Sequence, residues 1–175
     1  MNKCLIWFVV AVAAQLLILA AVPAQKIRAR TIGKTIFLKT APVDPYSIMS
    51  GYYVVLGYEI SNPTVSSEWK KWPQGKPVWV VLRSDPNNNV WYAISVHDKR
   101  PPVPDDCVVI KGKVGASRWR IEYGIESYFI PEDARDKVAQ DLRNNSKEAK
   151  AEVKVDSSGN AAITKLIIQD RVYEY

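Results

Sequence analysis

GYYVVLGY, from Gly51 to Tyr58, runs on into Glu59-Ile60-Ser61 and reads as a half-buried strand. Side chains alternate across a strand, so Tyr52, Val54, Leu56, Tyr58 and Ile60 share one side and Gly51, Tyr53, Val55, Gly57 and Glu59 the other. The first set is apolar or aromatic throughout and is expected to face a core. A glycine inside such a run, here Gly57, signals a bulge or a close backbone approach.

Outward from this stretch the chain alternates short β-prone runs with Pro, Asn and Gly punctuation, the pattern of an antiparallel sheet folded into a sandwich or barrel. Strands are expected over residues 35–40, 52–61, 78–84, 90–96, 108–114, 118–123, 151–156 and 161–169. Asp85-Pro86-Asn87-Asn88-Asn89 and Asp156-Ser157-Ser158-Gly159-Asn160 tolerate turn backbone angles and should close two hairpins. In the 118–123 run, Trp119, Ile121 and Tyr123 alternate with Arg118, Arg120 and Glu122, placing the first three inward. One helix is expected from Pro131, whose missing N–H is harmless in a first turn, with Glu132 and Asp133 favoured beside the positive helix end. Ala134, Val138 and Leu142 then share a face. The fold class is mainly β (α+β), an antiparallel sandwich or barrel-like domain with one helix.

Cys4 to Ala24 is apolar except for Gln15. At about 1.5 Å rise per residue, roughly 20 residues cross a hydrocarbon core of about 30 Å. A cleaved signal peptide is the competing reading, since Lys3 supplies a positive start and Val22-Pro23-Ala24 small residues near a cleavage point. The length favours a retained transmembrane helix. Gln15 in mid-membrane either bonds another helix or stands as a tolerated lone amide. The chain thus divides into an N-terminal membrane anchor, residues 1–25, and a β-rich domain, residues 26–175, large enough for its own core. Cys4 lies in the apolar segment and Cys107 in the domain, so no disulfide framework is implied, and Cys4 precedes the apolar run, unlike a lipoprotein cysteine.

The chain carries 24 basic and 18 acidic residues, a net charge of +6. Lys26 to Arg100 holds 11 basic and 5 acidic residues, a balance of +6, whereas Pro101 to Tyr175 holds 12 and 13, a balance of −1. An excess next to the apolar segment suits an anionic lipid surface, where each basic residue contributes about 1 kcal/mol. No recognition helix, zinc spacing or aromatic RNA-binding signature accompanies the charge, which argues against nucleic acid. Counted literally, Lys26, Arg28, Arg30 and Lys34 put the domain in the cytoplasm by the positive-inside rule. The very short N-terminal head with Lys3 is instead how signal anchors begin, and favours the domain outside.

Residues capable of chemistry are few. Asp44, in Pro42-Val43-Asp44-Pro45, is explained by an Asx-type turn. Glu122, Glu126 and Glu132 could supply the paired carboxylates of a hydrolase, which stand about 5–10 Å apart. Of these Glu126, between aromatic core positions, reads as a buried carboxylate paired with an arginine. His97 is the only histidine, and neither Ser127 nor Cys107 has a base placed beside it. No phosphate loop, dinucleotide fingerprint or metal spacing is present, so no catalytic residue, metal or cofactor is assigned. In Ser66 to Lys76, SSEWKKWPQGK, Trp69 and Trp72 bracket Lys70 and Lys71. That pairing is the chemistry of a membrane interface, although the tryptophans could equally dock a sugar or protein, or pack back on the domain.

GYYVVLGY, with TAPVDPYS before it and EIS after it, resembles the GDYXXLXY family, matching its name motif at Gly51, Tyr53, Leu56 and Tyr58, with Asp44 in the flank. YGIESYFIPE is similar to the family's second block, at Tyr123, Gly124, Glu126 and Tyr128. The resemblance implies a single-pass protein of the bacterial cytoplasmic (inner) membrane with an extracytoplasmic domain and no assigned biochemical role, whose genes often neighbour those of multi-pass membrane proteins. Tyr52 stands at the motif's acidic position and Ser50 at its usual basic one, which puts in doubt any activity resting on that carboxylate. The expectation is a membrane-anchored, non-enzymatic accessory or binding protein that meets membrane lipid or a multi-pass membrane protein, with no small-molecule ligand identified. The alternative is a membrane-tethered hydrolase using a carboxylate pair that includes Glu126.

Overall fold

A computed structural model describes residues 3–41, 49–50, 53–65, 68–117, 119–145 and 148–175. In chain order a long helix α1 (Lys3–Ile32) leads into β1 (Lys34–Ala41), β2 (Met49–Ser50), β3 (Tyr53–Val55) and β4 (Gly57–Tyr58). Two 3-10 turns, Glu59–Ser61 and Glu68–Lys71, precede β5 (Pro77–Ser84), β6 (Trp91–His97), β7 (Cys107–Val114), β8 (Ile121–Glu122) and β9 (Ser127–Phe129). A third 3-10 turn, Glu132–Ala134, opens α2 (Arg135–Asn145), followed by β10 (Ala149–Val155), β11 (Ala161–Ile168) and β12 (Arg171–Tyr173).

The strands form three antiparallel sheets, ordered β12-β11-β10-β1-β4, β2-β3-β9 and β6-β5-β7-β8, and no closed barrel forms among the described residues. One apolar cluster joins them, taking Ile36 and Leu38 from β1, Val80 and Leu82 from β5, Ile110 from β7 and Val54 from β3. Both expected hairpins form, β5 with β6 and β10 with β11. Their turns are stapled by Asp85, whose Oδ1 accepts the Asn87 N–H at 2.9 Å, and Asp156, whose Oδ1 accepts those of Ser158 and Asn160 at 2.8 and 2.9 Å. The helix expected from Pro131 is present and buries Val138 and Leu142 in the core.

The opening stretch departs from one continuous strand. Tyr53–Val55 pairs with Ser127–Phe129 of β9, Leu56 breaks the ladder, and Gly57 and Tyr58 then pair with Ala41 and Thr40 of β1. The chain therefore crosses from the small sheet to the five-stranded one, and alternation survives the crossing: Val54, Leu56, Tyr58 and Ile60 are all buried. Gly57 is itself buried opposite Ala41, the close backbone approach expected of it.

Of the expected 118–123 strand, Arg118 lies outside the described residues and only Ile121–Glu122 is strand, because Gly115 N–H donates to Arg120 O at 2.8 Å and Arg120 N–H to Ser117 O at 2.9 Å, closing a local turn. That turn leaves Trp119 65 % exposed, although Ile121 and Tyr123 do face the core. Strands β2, β9 and β12 were not expected; each is two or three residues long, too short for alternation to register.

Within α1, Leu5–Ile32 is long and apolar enough to cross a membrane, and its most apolar window buries nothing against the domain. The helix runs past residue 25 without a break, and its last turns dock: Ala29 is fully buried, and Gly33 N–H caps the helix on Ala29 O at 3.0 Å. A Cβ at Gly33 would lie 2.4 Å from Ala29 O and 2.8 Å from Val155 N, so only glycine lets the helix end meet β10 this closely.

Candidate functional site

The two sequence blocks meet in space. Tyr58 Oη donates to Ile125 O at 2.7 Å, Leu56 N–H to Glu126 O at 2.7 Å, and Tyr123 Oη to Ile60 O at 2.7 Å. The Leu56 bond continues the β3–β9 register, whereas Ile125 O and Ile60 O each belong to a buried residue outside the strands and take a tyrosine hydroxyl, and a buried carbonyl without a donor costs about 1–3 kcal/mol. Burial first, and the nearby Glu126 charge second, push the Tyr58 and Tyr123 hydroxyls well above their usual range, so both remain protonated donors. Tyr53 stacks at a tilt on Phe129 with ring centroids 5.7 Å apart. Tyr128 Oη donates to Tyr173 O at 2.9 Å, and burial raises its pKa to about 12. Tyr53, Leu56, Tyr58, Tyr123 and Tyr128 thus act as structural fasteners. Asp44 and Gly51 lie outside the described residues, as does Tyr52.

Arg118 lies outside the described residues, and Glu126 is less enclosed than expected. It is half-buried, and its Oε1 accepts the Tyr123 N–H at 2.6 Å; among the described residues it forms no ion pair with an arginine. The turn at Gly124, with φ +75°, brings the Glu126 carboxylate back to the Tyr123 N–H. Glu122 is instead held by Lys113 at 3.2 Å, and Glu132 is exposed in its 3-10 turn. His97 Nε2 lies 2.8 Å from Ser95 Oγ, Cys107 is buried in β7, and Ser127 is exposed on β9. No group of three His, Cys, Asp or Glu among the described residues could hold a metal ion.

The Trp-Lys loop also differs from expectation. Trp69 is only 1 % exposed and belongs to the core, which removes it as a contact for lipid; its indole supplies the apolar bulk that fixes the 3-10 turn. Trp72 packs half-buried against the same core with Lys76 Nζ 4.1 Å from its ring centroid, while Lys70 Nζ stands 5.0 Å from that of exposed Trp119. Lys71 is exposed.

Where the second block turns, it receives the end of α1. Lys26 Nζ donates to Gly124 O at 3.2 Å and Arg30 Nη2 to Tyr175 O at 3.1 Å. Two clefts flank this junction and share Lys26 and Gly124 as walls. One, of about 360 Å³, carries Lys111, Lys113 and Asn160; the other, of about 260 Å³, carries Ile27, Arg30, Phe129 and Tyr175. Both clefts lie at the foot of an apolar helix and mix cationic with apolar walls, the first also carrying the Glu122 carboxylate.

A second cluster escaped sequence reading. Both Asp141 carboxylate oxygens accept Arg171 Nη1 at 2.7 Å, and Tyr173 Oη donates to Oδ2. The Tyr173 and Arg171 hydrogen bonds hold the Asp141 carboxyl below its usual range, while burial and Asp141 push the Tyr173 hydroxyl up. These residues are thirty positions apart in the chain, so no local signal could announce them.

The chain belongs to the GDYXXLXY protein family, which matches residues 15–166. Comparison with curated proteins and with solved structures gave no match.

Proposed function

We propose that this chain is a membrane-anchored, non-enzymatic accessory or binding protein of the bacterial cytoplasmic membrane, with residues 1–25 as anchor and 26–175 as a domain seated against the bilayer surface. One observation carries the reading: the helix apolar enough to span is continuous with the turns clamped to Gly124 and Tyr175. An anchor joined through a docked helix fixes the height and tilt of the domain over the membrane, which a passive tether has no need to do. That is the property of a protein that meets a multi-pass membrane protein or the lipid surface itself.

The proposed orientation, with the domain outside the cytoplasm, rests on the short Lys3 head. Lys26 and Arg30 bind Gly124 and Tyr175, and Lys34 Nζ donates to Asp105 O at 2.6 Å. Three of the four basic residues behind the apolar segment therefore have a folding role that holds on either side of the membrane, and the short Lys3 head weighs more in the topology. The hydrolase alternative has less behind it, because Glu126 Oε1 accepts the Tyr123 N–H and Glu122 pairs with Lys113, which gives both carboxylates a structural role without catalysis.

Tagged full-length protein extracted from membranes in mild detergent should carry an integral membrane partner with it, and a phosphatase fused after Tyr175 should be active outside the cytoplasm. A chain recovered wholly in the soluble fraction would sink the reading, and phosphatase activity confined to the cytoplasm would reverse the orientation.

A further inference from the structure

We infer that the junction of α1 with the domain is a binding site for one anionic phospholipid. The inference rests on the anchoring proposed above and names the ligand of that junction. Depth comes first: counting from Ala24 at about 1.5 Å per residue, Lys26 and Ile27 lie about 3–5 Å beyond the apolar span and Arg30 about 9 Å beyond it. The interfacial layer on each face of a bilayer is about 5–7 Å thick, so the mouths of both clefts open at headgroup level.

The lining matches that depth. Ile27, Phe129 and Tyr175 are exposed large side chains in the smaller cleft, with Phe129 67 % exposed. Aromatic and aliphatic groups at this level gain by meeting acyl carbon and glycerol, not water. On the other side of Lys26 stand Lys111 and Lys113, the latter shared with the Glu122 carboxylate of the same cleft at 3.2 Å, so Lys111 is the cation there that no ion pair engages among the described residues. The Lys26 ammonium has three N–H donors and gives one to Gly124, leaving two for a phosphate oxygen. A headgroup phosphate over Lys26 has Lys111 on one flank and Arg30 on the other, and its acyl chain runs back along Ile27 and Phe129 into the bilayer. Free phosphate would satisfy the lysines and leave the apolar wall wet, which is why a lipid is the occupant that fits both halves.

The test uses full-length protein in nanodiscs of phosphatidylcholine and phosphatidylglycerol in equal parts, with lipid adducts counted by native mass spectrometry after gentle release. The wild type should retain one phosphatidylglycerol in preference to phosphatidylcholine. Lys111→Gln should lower that preference about fivefold, the weight of one interfacial charge. Phe129→Ser should lower retention of both lipids, and Lys71→Gln, on the basic loop outside the clefts, should change nothing. Lys111 and Phe129 are surface side chains, and unchanged melting temperatures would show that folding is intact; should Phe129→Ser unfold, the Lys111→Gln arm still decides. A chain that enters the nanodiscs without lipid preference, or whose preference is removed by Lys71→Gln and not by Lys111→Gln, overturns the lipid site alone. A chain that does not enter them overturns the anchoring and the lipid site together.

Discussion

Tyr58 donates its hydroxyl to the carbonyl of Ile125 at 2.7 Å, bridging 67 positions of chain between the two aromatic blocks. Tyr123 returns the contact by donating to Ile60. The pair is reciprocal: each block supplies a buried tyrosine and a carbonyl that needs it.

Removing either hydroxyl should therefore unfold the clasp without touching its apolar packing. Tyr58→Phe and Tyr123→Phe are each expected to destabilise the protein by about 1–3 kcal/mol, by orphaning a buried carbonyl. The double variant should depart from additivity, since both bonds hold the same two segments. Denaturant unfolding of the detergent-solubilised chain measures this. Because both hydroxyl pKa values are raised above 10.0 in the fold, their contribution is complete at neutral pH and is lost as pH climbs past 10 toward the folded values. Absorbance titration should show these two phenols ionising only as the protein unfolds.

Asp141 gives the opposite pH dependence. Its folded pKa lies below the ordinary 3.8, so its contribution is fully present above that pH and is lost as pH falls toward the lower folded value. Melting temperature should decline across this acid window. Asp141→Asn should flatten the decline while leaving Tyr173 an oxygen to bond, and Asp141→Ala should cost about 1–3 kcal/mol at neutral pH by stranding Tyr173.

Trp69 and Trp119 should separate cleanly. Trp69→Ala empties a core position and is expected to cost about 3–5 kcal/mol. Trp119→Ala, at an exposed turn, should stay within about 0.5 kcal/mol. Thermal melts of the two variants suffice.

Gly33→Ala places a Cβ into two backbone groups, neither of which can move like a side-chain tip. Overpacking of this kind costs about 1–3 kcal/mol, and here the strain falls on the joint between α1 and β10. Limited proteolysis should cut the variant between Gln25 and Lys34 far faster than the wild type.

The β-rich fold was readable because its long strands alternate and each hairpin turn opens on an Asp, and the core face of 54–60 was legible even though the strand breaks at Leu56. What escaped was decided at long range. At Leu56, whose N–H still donates to Glu126 O in register with β9, the chain exchanges β9 for β1, and no pattern within ten residues of Leu56 reports either partner. Trp69 looked like an interface residue because its neighbours are lysines, yet burial depends on what folds over it. Lys26 and Arg30 looked like topology signals because their acceptors, Gly124 and Tyr175, lie about a hundred or more positions away. A basic residue reads the same in sequence whether it faces lipid or a distant carbonyl.

Everything proposed for this protein depends on α1 staying attached. Intact mass of the protein extracted from washed membranes decides it: the full chain, at 19.7 kDa, should be recovered with Met1 to Ala24 still in place. A mature product beginning near Gln25 and released into the soluble fraction would contradict the anchoring, and with it the membrane-level site at Lys26 and Phe129.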